Sequence, residues 1–237
     1  MSINWTNIRD IIRHHSQKFV IATSGGVDSM LLLDSCVRGF RCNPNFAVAH
    51  FNHHIRDDSN EDAALVKSIC AHHNIPFYYG ETFDLKDGGN IEMRARTLRW
   101  AFLEQTAHNI GADAVLTGHH LNDYVENYLM GNIRGLHIRS CIMPQVHQKN
   151  GITRIKPFLH DLSKEKIYDI ARHRKLQWRE DSTNKDNDNL RNMVRNVIIP
   201  EMEKSHNVLK SIPNTIKSLL AENHQQENIV TTRKVVP

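Results

Sequence analysis

Residues 23–29 combine two glycines, two serines and a carboxylate where an apolar run gives way to an amphipathic one. The segment reads Thr-Ser-Gly-Gly-Val-Asp-Ser. Adjacent glycines let the backbone turn sharply and approach a ligand closely. The first N–H groups of a following helix suit phosphate, and the hydroxyls of Ser24 and Ser29 add donors. The sequence therefore predicts a phosphate-binding loop.

The loop does not follow the common nucleotide-binding patterns. A Walker loop needs G-x-x-x-x-G-K-[ST] and a dinucleotide loop needs G-x-G-x-x-G, and the segment has neither. Asp28 would repel phosphate unless a cation lay between them. We therefore predict that Asp28 is a Mg²⁺ ligand.

A second polar group follows the apolar run at 113–117. Gly118-His119-His120 comes first, and Asp123 and Glu126 follow on a predicted helix. Their i,i+3 spacing places both carboxylates on one helix face, where they could hold Mg²⁺ or a cationic substrate. Alternatively, they only stabilise the N-terminus of the helix. His119 could stabilise an oxyanion, or its imidazole could simply be satisfied by the backbone.

The elements that carry these residues alternate between short apolar runs and longer amphipathic ones. This alternation predicts an α/β fold with a doubly wound, mostly parallel sheet of five strands. In the order 3-2-1-4-5, strands 1 and 4 are neighbours, so the loop and Gly118-His119-His120 should meet at the switch point. Strands are predicted at 18–23, 46–51, 76–79, 113–117 and 152–157, and helices at 27–36, 59–73, 91–110, 122–133, 163–175 and 188–199.

Composition and charge narrow the class of protein. The chain has 237 residues and a net charge of +4, and residues 151–237 carry a net +5, which fits a polyanionic partner or an ordinary solvated surface. The four cysteines form no C-x-x-C pair, which argues against zinc ribbons, iron–sulfur sites and a disulfide framework. We find no membrane span and no secretory signal, and we expect a cytoplasmic protein.

The loop residues match a known pattern. Residues 24–29 fit the S-G-G-x-D-S loop of the N-type ATP pyrophosphatases, which holds the pyrophosphate of ATP. Over roughly 15–200 the chain resembles the tRNA(Ile)-lysidine synthetase family. Five further elements carry this resemblance in order: H-x-N-H-x-x-R at 50–56, G-N-x-E-x-x-A-R-x-x-R-[YW] at 89–100, G-H-H-x-D-D-x-x-E-T at 118–127, W-x-x-D-x-x-N at 178–184 and R-N-x-x-R at 191–195.

The resemblance implies an adenine nucleotide alpha hydrolase-like fold with ATP and Mg²⁺ as cofactors. It implies ATP binding by Ser24, Gly25, Gly26, Val27, Asp28 and Ser29, and catalysis by Asp28, Arg99, His119, Asp123 and Glu126. Asp123 and Glu126 would receive free L-lysine, with Arg99 near the lysine carboxylate or the reacting centre.

Three arginines are candidate tRNA contacts: Arg94, Arg191 and Arg195. For the last two, salt bridges to Glu180 or Asp181 are an equal alternative.

The implied substrate is the isoleucine tRNA with a CAU anticodon. O2 of its wobble cytidine, C34, would attack the α-phosphorus of ATP and release pyrophosphate. The lysine ε-amine would then displace AMP at C2 and form lysidine. A cytosine in a stacked anticodon loop must be splayed out to reach such a pocket.

The chain departs from the family pattern in two ways. Asn122 replaces the first Asp of the D-D pair and Asn127 replaces Thr. Many family members also continue into C-terminal domains that help bind tRNA, so the resemblance predicts a short form, in which a homodimer would supply the missing surface. We predict a catalytic domain at 1–185, a helical segment at 186–220 and a polar tail at 221–237.

Two rival functions remain open. A tRNA thiolation enzyme of the same superfamily would commonly use cysteines near C-x-x-C motifs, which this chain lacks. A catalytically inactive module that binds tRNA or nucleotide is consistent with Asn122, whereas the intact loop with Asp28 argues against it.

Overall fold

A computed structural model gives the structure of the chain. It describes residues 5–40, 45–56, 58–83, 91–180 and 189–233, with side chains from residue 6 to residue 221 within these ranges. Contacts between residues divide the chain into two compact units. The first comprises Met1–His120 and Pro144–Ser182, and the second comprises Leu121–Met143 and Thr183–Pro237.

The first unit contains a sheet with the order β3-β2-β1-β4-β6-β5. Its first five strands in this order run parallel, as the alternation of the sequence predicts. The prediction that the first and fourth strands are adjacent is confirmed, because they pair in parallel. The strands are β1 Phe19–Ala22, β2 Phe46–Asn52, β3 Phe77–Glu81, β4 Ala114–Leu116, β5 Val146–Lys149 and β6 Ile152–Ile155.

The prediction of five strands is wrong, because the sheet has six. The additional strand is β5, which pairs antiparallel with β6 at the edge of the sheet. Its residues are Val-His-Gln-Lys, which lack a continuous apolar run because an edge strand is partly solvated. Asn150 and Gly151 form the two-residue turn with φ of 53° and 77°, so their Asn-Gly dipeptide was the available signal.

Helices cover both faces of the sheet, as expected for a doubly wound fold. The helices of the described residues are α1 Trp5–His15, α2 Val27–Gly39, α3 Ser59–His72, α4 Ile91–Ile110, α5 Leu121–Ile133, α6 Ile138–Cys141, α7 Lys164–His173, α8 Leu190–Met193, α9 Ile199–Glu203 and α10 Val208–Arg233. Alternate residues of β1 point to opposite faces. Phe19 and Ile21 pack with α1, α2, α3 and α7, while Val20 packs with Trp100 and Leu103 of α4.

The second unit is helical. Its core brings Val125 and Met130 of α5 together with Val194, Ile199 and Val208 from the C-terminal helices. A π-helical turn at Val194–Ile198 joins α8 to α9. α5 and α6 therefore cluster with the C-terminal helical segment, and α10 continues to Arg233, across part of the region predicted as a tail. The boundary predicted at 185/186 lies outside the described residues.

None of the described helices combines the length and apolar character needed to span a bilayer.

Candidate active site

The loop between β1 and α2 is closed by its own serines. The Ser24 N–H donates to Ser29 Oγ at 3.1 Å, and Ser29 Oγ donates to the Gly26 carbonyl at 2.9 Å. Gly25 has φ of 92°, a conformation that L side chains rarely adopt. Gly26 lies in the extended region immediately before the first turn of α2. The sequence thus builds a tight turn that leads into a helix N-terminus, which is the geometry of a phosphate loop.

Gly25 is required by its neighbour as well as by its backbone angle. A Cβ on Gly25 would lie 3.1 Å from Cβ of Asp62 on α3. Asp62 is buried and accepts hydrogen bonds from Arg56 and from Arg179 Nε, the latter at 2.9 Å. The backbone N–H of Arg179 also donates to the Gly25 carbonyl at 3.0 Å. A buried carboxylate with two arginines therefore fixes the underside of the loop.

The histidine that opens the 50–56 motif also supports the loop. His50 is buried, and its Nδ1 donates to the Thr23 carbonyl at 2.9 Å. Burial lowers the pKa of His50, so its ring is neutral near pH 7. Burial, Arg99 and His50 together lower the pKa of His53 to about 4. The first histidine of this motif therefore anchors the start of the loop through the Thr23 carbonyl.

Asp28 is paired with a lysine that the sequence analysis missed. Lys164 Nζ, at the start of α7, lies 2.8 Å from both carboxylate oxygens of Asp28. His120 Nε2 lies 3.5 Å from Oδ1 of the same carboxylate. Asp28 and Lys164 keep 30% and 35% of their side-chain surface exposed. The pair can therefore exchange partners with a ligand that reaches the loop.

The predicted meeting of the two polar groups at the ends of β1 and β4 is confirmed. A Cβ on Gly118 would lie 2.9 Å from the backbone carbonyl of Asp28, so a side chain there has no room. His119 is half-buried, and its Nδ1 lies 2.8 Å from Thr117 Oγ1. This hydrogen bond orients the imidazole of the residue that follows Gly118.

The carboxylates of α5 hold an arginine in this structure. Glu126 is buried, and Arg195 Nε and Nη2 each donate to one of its oxygens at 2.8 Å. Arg195 Nη2 also lies 3.4 Å from Oδ1 of Asp123. Asp123 and Glu126 do share a face, as their spacing predicts, and the face attracts a cation. The salt bridges of Arg195 are thus made with this pair, which the sequence analysis did not consider as its partner.

Arg195 lies in the π-helical turn Val194–Ile198. Such turns are rare and frequently occur at functional sites. The remaining predicted arginines are on helices: Arg94 is exposed and Arg99 half-buried on α4, and Arg191 is half-buried on α8. Their assignment to tRNA or lysine stays a prediction. Of the quoted motifs, Gly89, Asn90 and residues 181–184 lie outside the described residues.

Three residues that support the loop were missed by the sequence reasoning: Lys164, Asp62 and Arg179. Arg179 sits inside the 178–184 motif but at a position that the motif leaves variable. Asp62 lies in the first turn of α3, and nothing in the local sequence indicates its contact with the loop. Lys164 is 136 positions from Asp28 along the chain, so only the folded structure reveals its role.

The donor set around Asp28 fits a Mg²⁺ ion that is bound mainly through phosphate oxygens. Among the described residues there is no group of three His, Cys, Asp or Glu side chains that could hold a metal by itself. Mg²⁺ commonly uses one or two carboxylates together with substrate phosphates. Asp28 offers one such carboxylate, provided that Lys164 yields or shares it.

These features define a PP-loop protein, and comparison with known families agrees. The PP-loop domain family matches residues 3–202, and the chain belongs to this family.

Three similar curated proteins bear the name tRNA(Ile)-lysidine synthase. A tRNA(Ile)-lysidine synthase of Enterococcus faecalis is 32% identical over 199 residues, which are 80% of this chain and 41% of that protein. One from Thermotoga is 32% identical over 89% of this chain and 50% of its own length. One from Mycoplasmopsis pulmonis is 33% identical over 76% of this chain and 61% of its own length. The chain therefore spans less than two thirds of these relatives.

Solved structures share the fold. A U34-tRNA thiolase from Methanococcus maripaludis, determined with its [4Fe-4S] cluster, superposes with a TM-score of 0.74 over 92% of this chain and 77% of that chain, at 17% identity. An NH3-dependent NAD synthetase from Campylobacter jejuni gives a TM-score of 0.52 at 17% identity, over 94% of this chain and 96% of that one.

Proposed function

We propose that this protein ligates lysine to C2 of the wobble cytidine of the isoleucine tRNA with a CAU anticodon, using ATP. The observation that carries the proposal is the contact between the Ser24–Ser29 loop and Gly118, which brings His119 beside a phosphate loop. The name shared by the relatives supports lysidine formation as the reaction at such a site. A tRNA substrate in turn suggests a cytoplasmic location.

ATP would bind with its phosphates on the loop. The N-terminus of α2 and the Ser24 hydroxyl would supply donors for phosphate oxygens. Ser29 Oγ, which donates to the Gly26 carbonyl, would do so after exchanging that partner. Asp28 would help to hold Mg²⁺, which would supply neutralisation of the phosphate charge when bound. Lys164 would neutralise Asp28 or move toward the phosphates.

In the first step, O2 of the cytidine attacks the α-phosphorus of ATP and pyrophosphate leaves. His119 would stabilise charge that develops on the phosphoryl oxygens, and the hydrogen bond with Thr117 that orients its ring supports this role. Arg99 lies close enough to His53 to lower its pKa, and it would add positive charge near the reacting base.

In the second step, the ε-amine of lysine attacks C2, and AMP leaves with the former O2. Asp123, the more exposed carboxylate, would bind the lysine cation, and Glu126, which keeps Arg195, would add its negative charge to the same face. The contacts of both carboxylates with Arg195 support this, because they lie on a face that attracts positive charge. The amine must lose a proton before it attacks. Asp123 is our candidate base, because its contact to Arg195 is longer than that of Glu126.

Arg94 and Arg191 remain proposed tRNA contacts. Arg195 is better assigned as a positioning residue for Glu126, because its guanidinium donates to both oxygens of that carboxylate. A homodimer stays a prediction.

The described cysteines give thiolation little support. Cys36, Cys70 and Cys141 are buried and free. Burial raises the pKa of Cys70 to about 12 and that of Cys36 further, so these two thiols are protonated and unreactive.

The test mixes the purified protein with ATP, Mg²⁺, labelled lysine and a CAU-anticodon isoleucine tRNA transcript. We expect label in the tRNA that requires ATP and C34. Asp28→Asn and Asp123→Asn should each reduce incorporation strongly. Asp169→Asn removes an exposed carboxylate on α7 and serves as the matched control.

Each other result has a definite meaning. Cleavage of ATP to AMP and pyrophosphate with tRNA but without lysine label would contradict lysidine formation and favour another nucleophile, as in thiolation. Neither label nor cleavage would favour a binding module. Unchanged lysine transfer by Asp123→Asn would exclude that side chain as the base.

A further inference from the structure

One face of α4 collects side chains that the proposed reaction does not use. Arg96, Trp100 and Glu104 follow one another at intervals of four residues, so they share a helix face. The guanidinium carbon of Arg154 lies 3.7 Å from the centre of the Trp100 ring, and Arg154 also pairs with Glu104. This face of α4 therefore packs against β6.

The β5–β6 hairpin adds further cations on the same side. His147 lies directly opposite Arg154 in the antiparallel register, so the two side chains are on one face. Lys156 is two residues beyond Arg154 and therefore shares that face. It is buried, and its Nζ donates to the Pro144 carbonyl at 2.7 Å. We call Arg96, His147, Arg154 and Lys156 the α4–hairpin cation cluster.

Several cations of the described residues surround Lys156 and His147. The Glu104 carboxylate pairs with Arg154 through one oxygen and accepts a hydrogen bond from Asn150 through the other. Burial, Arg96 and Arg154 lower the pKa of Lys156 to about 8. Burial and the neighbouring cations, Lys156 first among them, likewise lower the pKa of His147. Both groups thus lie in a field of positive charge.

Three buried side-chain nitrogens in the same place lack hydrogen-bond partners among the described residues. Arg154 Nε, Trp100 Nε1 and His147 Nδ1 are shielded from solvent, and none has a hydrogen-bond partner within the part of the chain that the structure describes. Arg154 and Trp100 are each only 8% exposed. Buried polar groups without partners are rare in proteins and call for an explanation, such as a missing ligand.

The cluster and the phosphate loop lie at the same side of the sheet, where the parallel strands end. β6 runs parallel to β4, and the Thr117 N–H donates to the Ile155 carbonyl, immediately before Lys156. β4 in turn neighbours β1, which leads into the loop. The cluster is therefore two strands away from the loop, at the same ends of the strands.

We propose that the α4–hairpin cation cluster binds a backbone phosphate of the RNA substrate and so guides the RNA toward the nucleotide loop. Exposed Arg96 and half-buried His147 would meet the phosphate, with Lys156 beneath them. A phosphodiester supplies negative charge beside the cluster and acceptor oxygens for Arg96 and His147. Free lysine carries an ammonium group, which the cluster would repel. This inference rests on the proposed tRNA substrate, but it concerns a different surface from the lysine site.

The test compares Arg96→Gln with Arg172→Gln, which removes one positive charge from an exposed position on α7. The affinity of each variant for the tRNA transcript is measured by filter binding at several KCl concentrations. We expect Arg96→Gln to weaken binding about fivefold and to reduce the slope of log K against log salt by about 0.7 for each phosphate that it no longer neutralises. Arg172→Gln should match the wild type. Lys156→Met, checked by circular dichroism, should repeat the effect of Arg96→Gln.

Inorganic phosphate and ATP serve as the second arm, because either could be the source of the anion. Equal tRNA affinities for Arg96→Gln, Arg172→Gln and wild type would overturn the inference, as would a wild type that binds no tRNA. Weaker ATP or phosphate binding with unchanged tRNA binding would assign the cluster to free phosphate instead. Lysine transfer is scored separately, so RNA binding through the cluster without transfer would contradict only the proposed function.

Discussion

The carboxylates of Asp28 and Glu126 each lie against a basic side chain, but solvent reaches the two pairs to different extents. Asp28 and Lys164 expose 30% and 35% of their side-chain surfaces. Glu126 exposes 3%, and its partner Arg195 exposes 33%. Both pairs have 2.8 Å contacts, so distance alone does not distinguish them.

The difference in burial separates two roles. A partly exposed carboxylate can lose its partner at small cost, because water replaces it. A buried carboxylate cannot, because breaking the pair leaves an uncompensated charge in a low dielectric. The Asp28–Lys164 pair is therefore suited to exchange partners with a ligand, whereas the Glu126–Arg195 pair stabilises the fold. Asp123, on the same helix face as Glu126, lies closer to the surface.

The largest expected effect is the loss of stability on replacing Arg195. Arg195→Met should lower the free energy of unfolding by about 3 kcal/mol, because Glu126 stays buried without its partner. Lys164→Met, which breaks the exposed pair, should cost about 1 kcal/mol or less. Urea unfolding followed by circular dichroism measures both. Adding Glu126→Gln to Arg195→Met should restore part of the loss, and equal losses for the two single variants would contradict the distinction.

The next largest effect on stability is expected where a side chain is introduced into the loop. Gly25→Ala should lower the free energy of unfolding by about 2 kcal/mol, because a φ of 92° strains an L residue and the new Cβ would crowd Asp62. Gly26→Ala is the matched control, since its φ is −72° and its Cβ would lie 3.6 Å from Ser24 Oγ. Thermal unfolding compares them. Similar losses would mean that the loop relaxes around either methyl group.

A smaller effect is expected on ATP binding when the Asp28–Lys164 pair is broken. Lys164→Met should raise the dissociation constant of ATP about tenfold, or ~1.4 kcal/mol, because it removes a positive charge beside the phosphate loop. Lys166→Met removes an exposed lysine from the same helix and should leave the constant unchanged. Isothermal titration calorimetry measures the difference. An unaltered constant for Lys164→Met would show that this lysine serves only Asp28.

The smallest effect is the pH dependence that His53 gives to the free energy of unfolding. The pKa of His53 is lowered from 6.5 to about 4 by burial, Arg99 and His50. The unfolded chain then binds this proton first, so the free energy of unfolding falls as pH drops from 6.5 to about 4. The loss is about 1 kcal/mol or less, because His53 is only half-buried and solvent screens its charge. An NMR titration of the imidazole that gives a midpoint near the ordinary histidine value would refute the shift.

Much of the fold could be predicted from local patterns. Apolar runs alternating with amphipathic ones predict β1, β2, β3, β4 and β6 and their parallel order, because each run must bury its faces against helices. β5 was missed because an exposed edge strand needs no apolar run. The clustering of α5 and α6 with the C-terminal helices could not be predicted either, because it depends on apolar contacts between residues 125–130 and 194–208.

The candidate site was predictable where the chemistry is local. The loop residues 24–29 and the neighbouring Gly118-His119-His120 follow from a motif and from sheet order. The partners of their charges were not predictable, because Lys164 and Asp28 are far apart in sequence and no spacing rule connects them. The same holds for Arg195 and Glu126.

Residue types and their spacing along the chain indicate which side chains could bind phosphate and cations, and they predict the order of strands that brings two of these groups together. Local propensity and periodicity are sufficient for that, because they depend on residues a few positions apart. The tertiary structure decided which charges neutralise one another, and which of the described buried donors stay without a partner. Those outcomes depend on burial and on distances of a few ångströms between remote segments, and electrostatic energies change steeply with both.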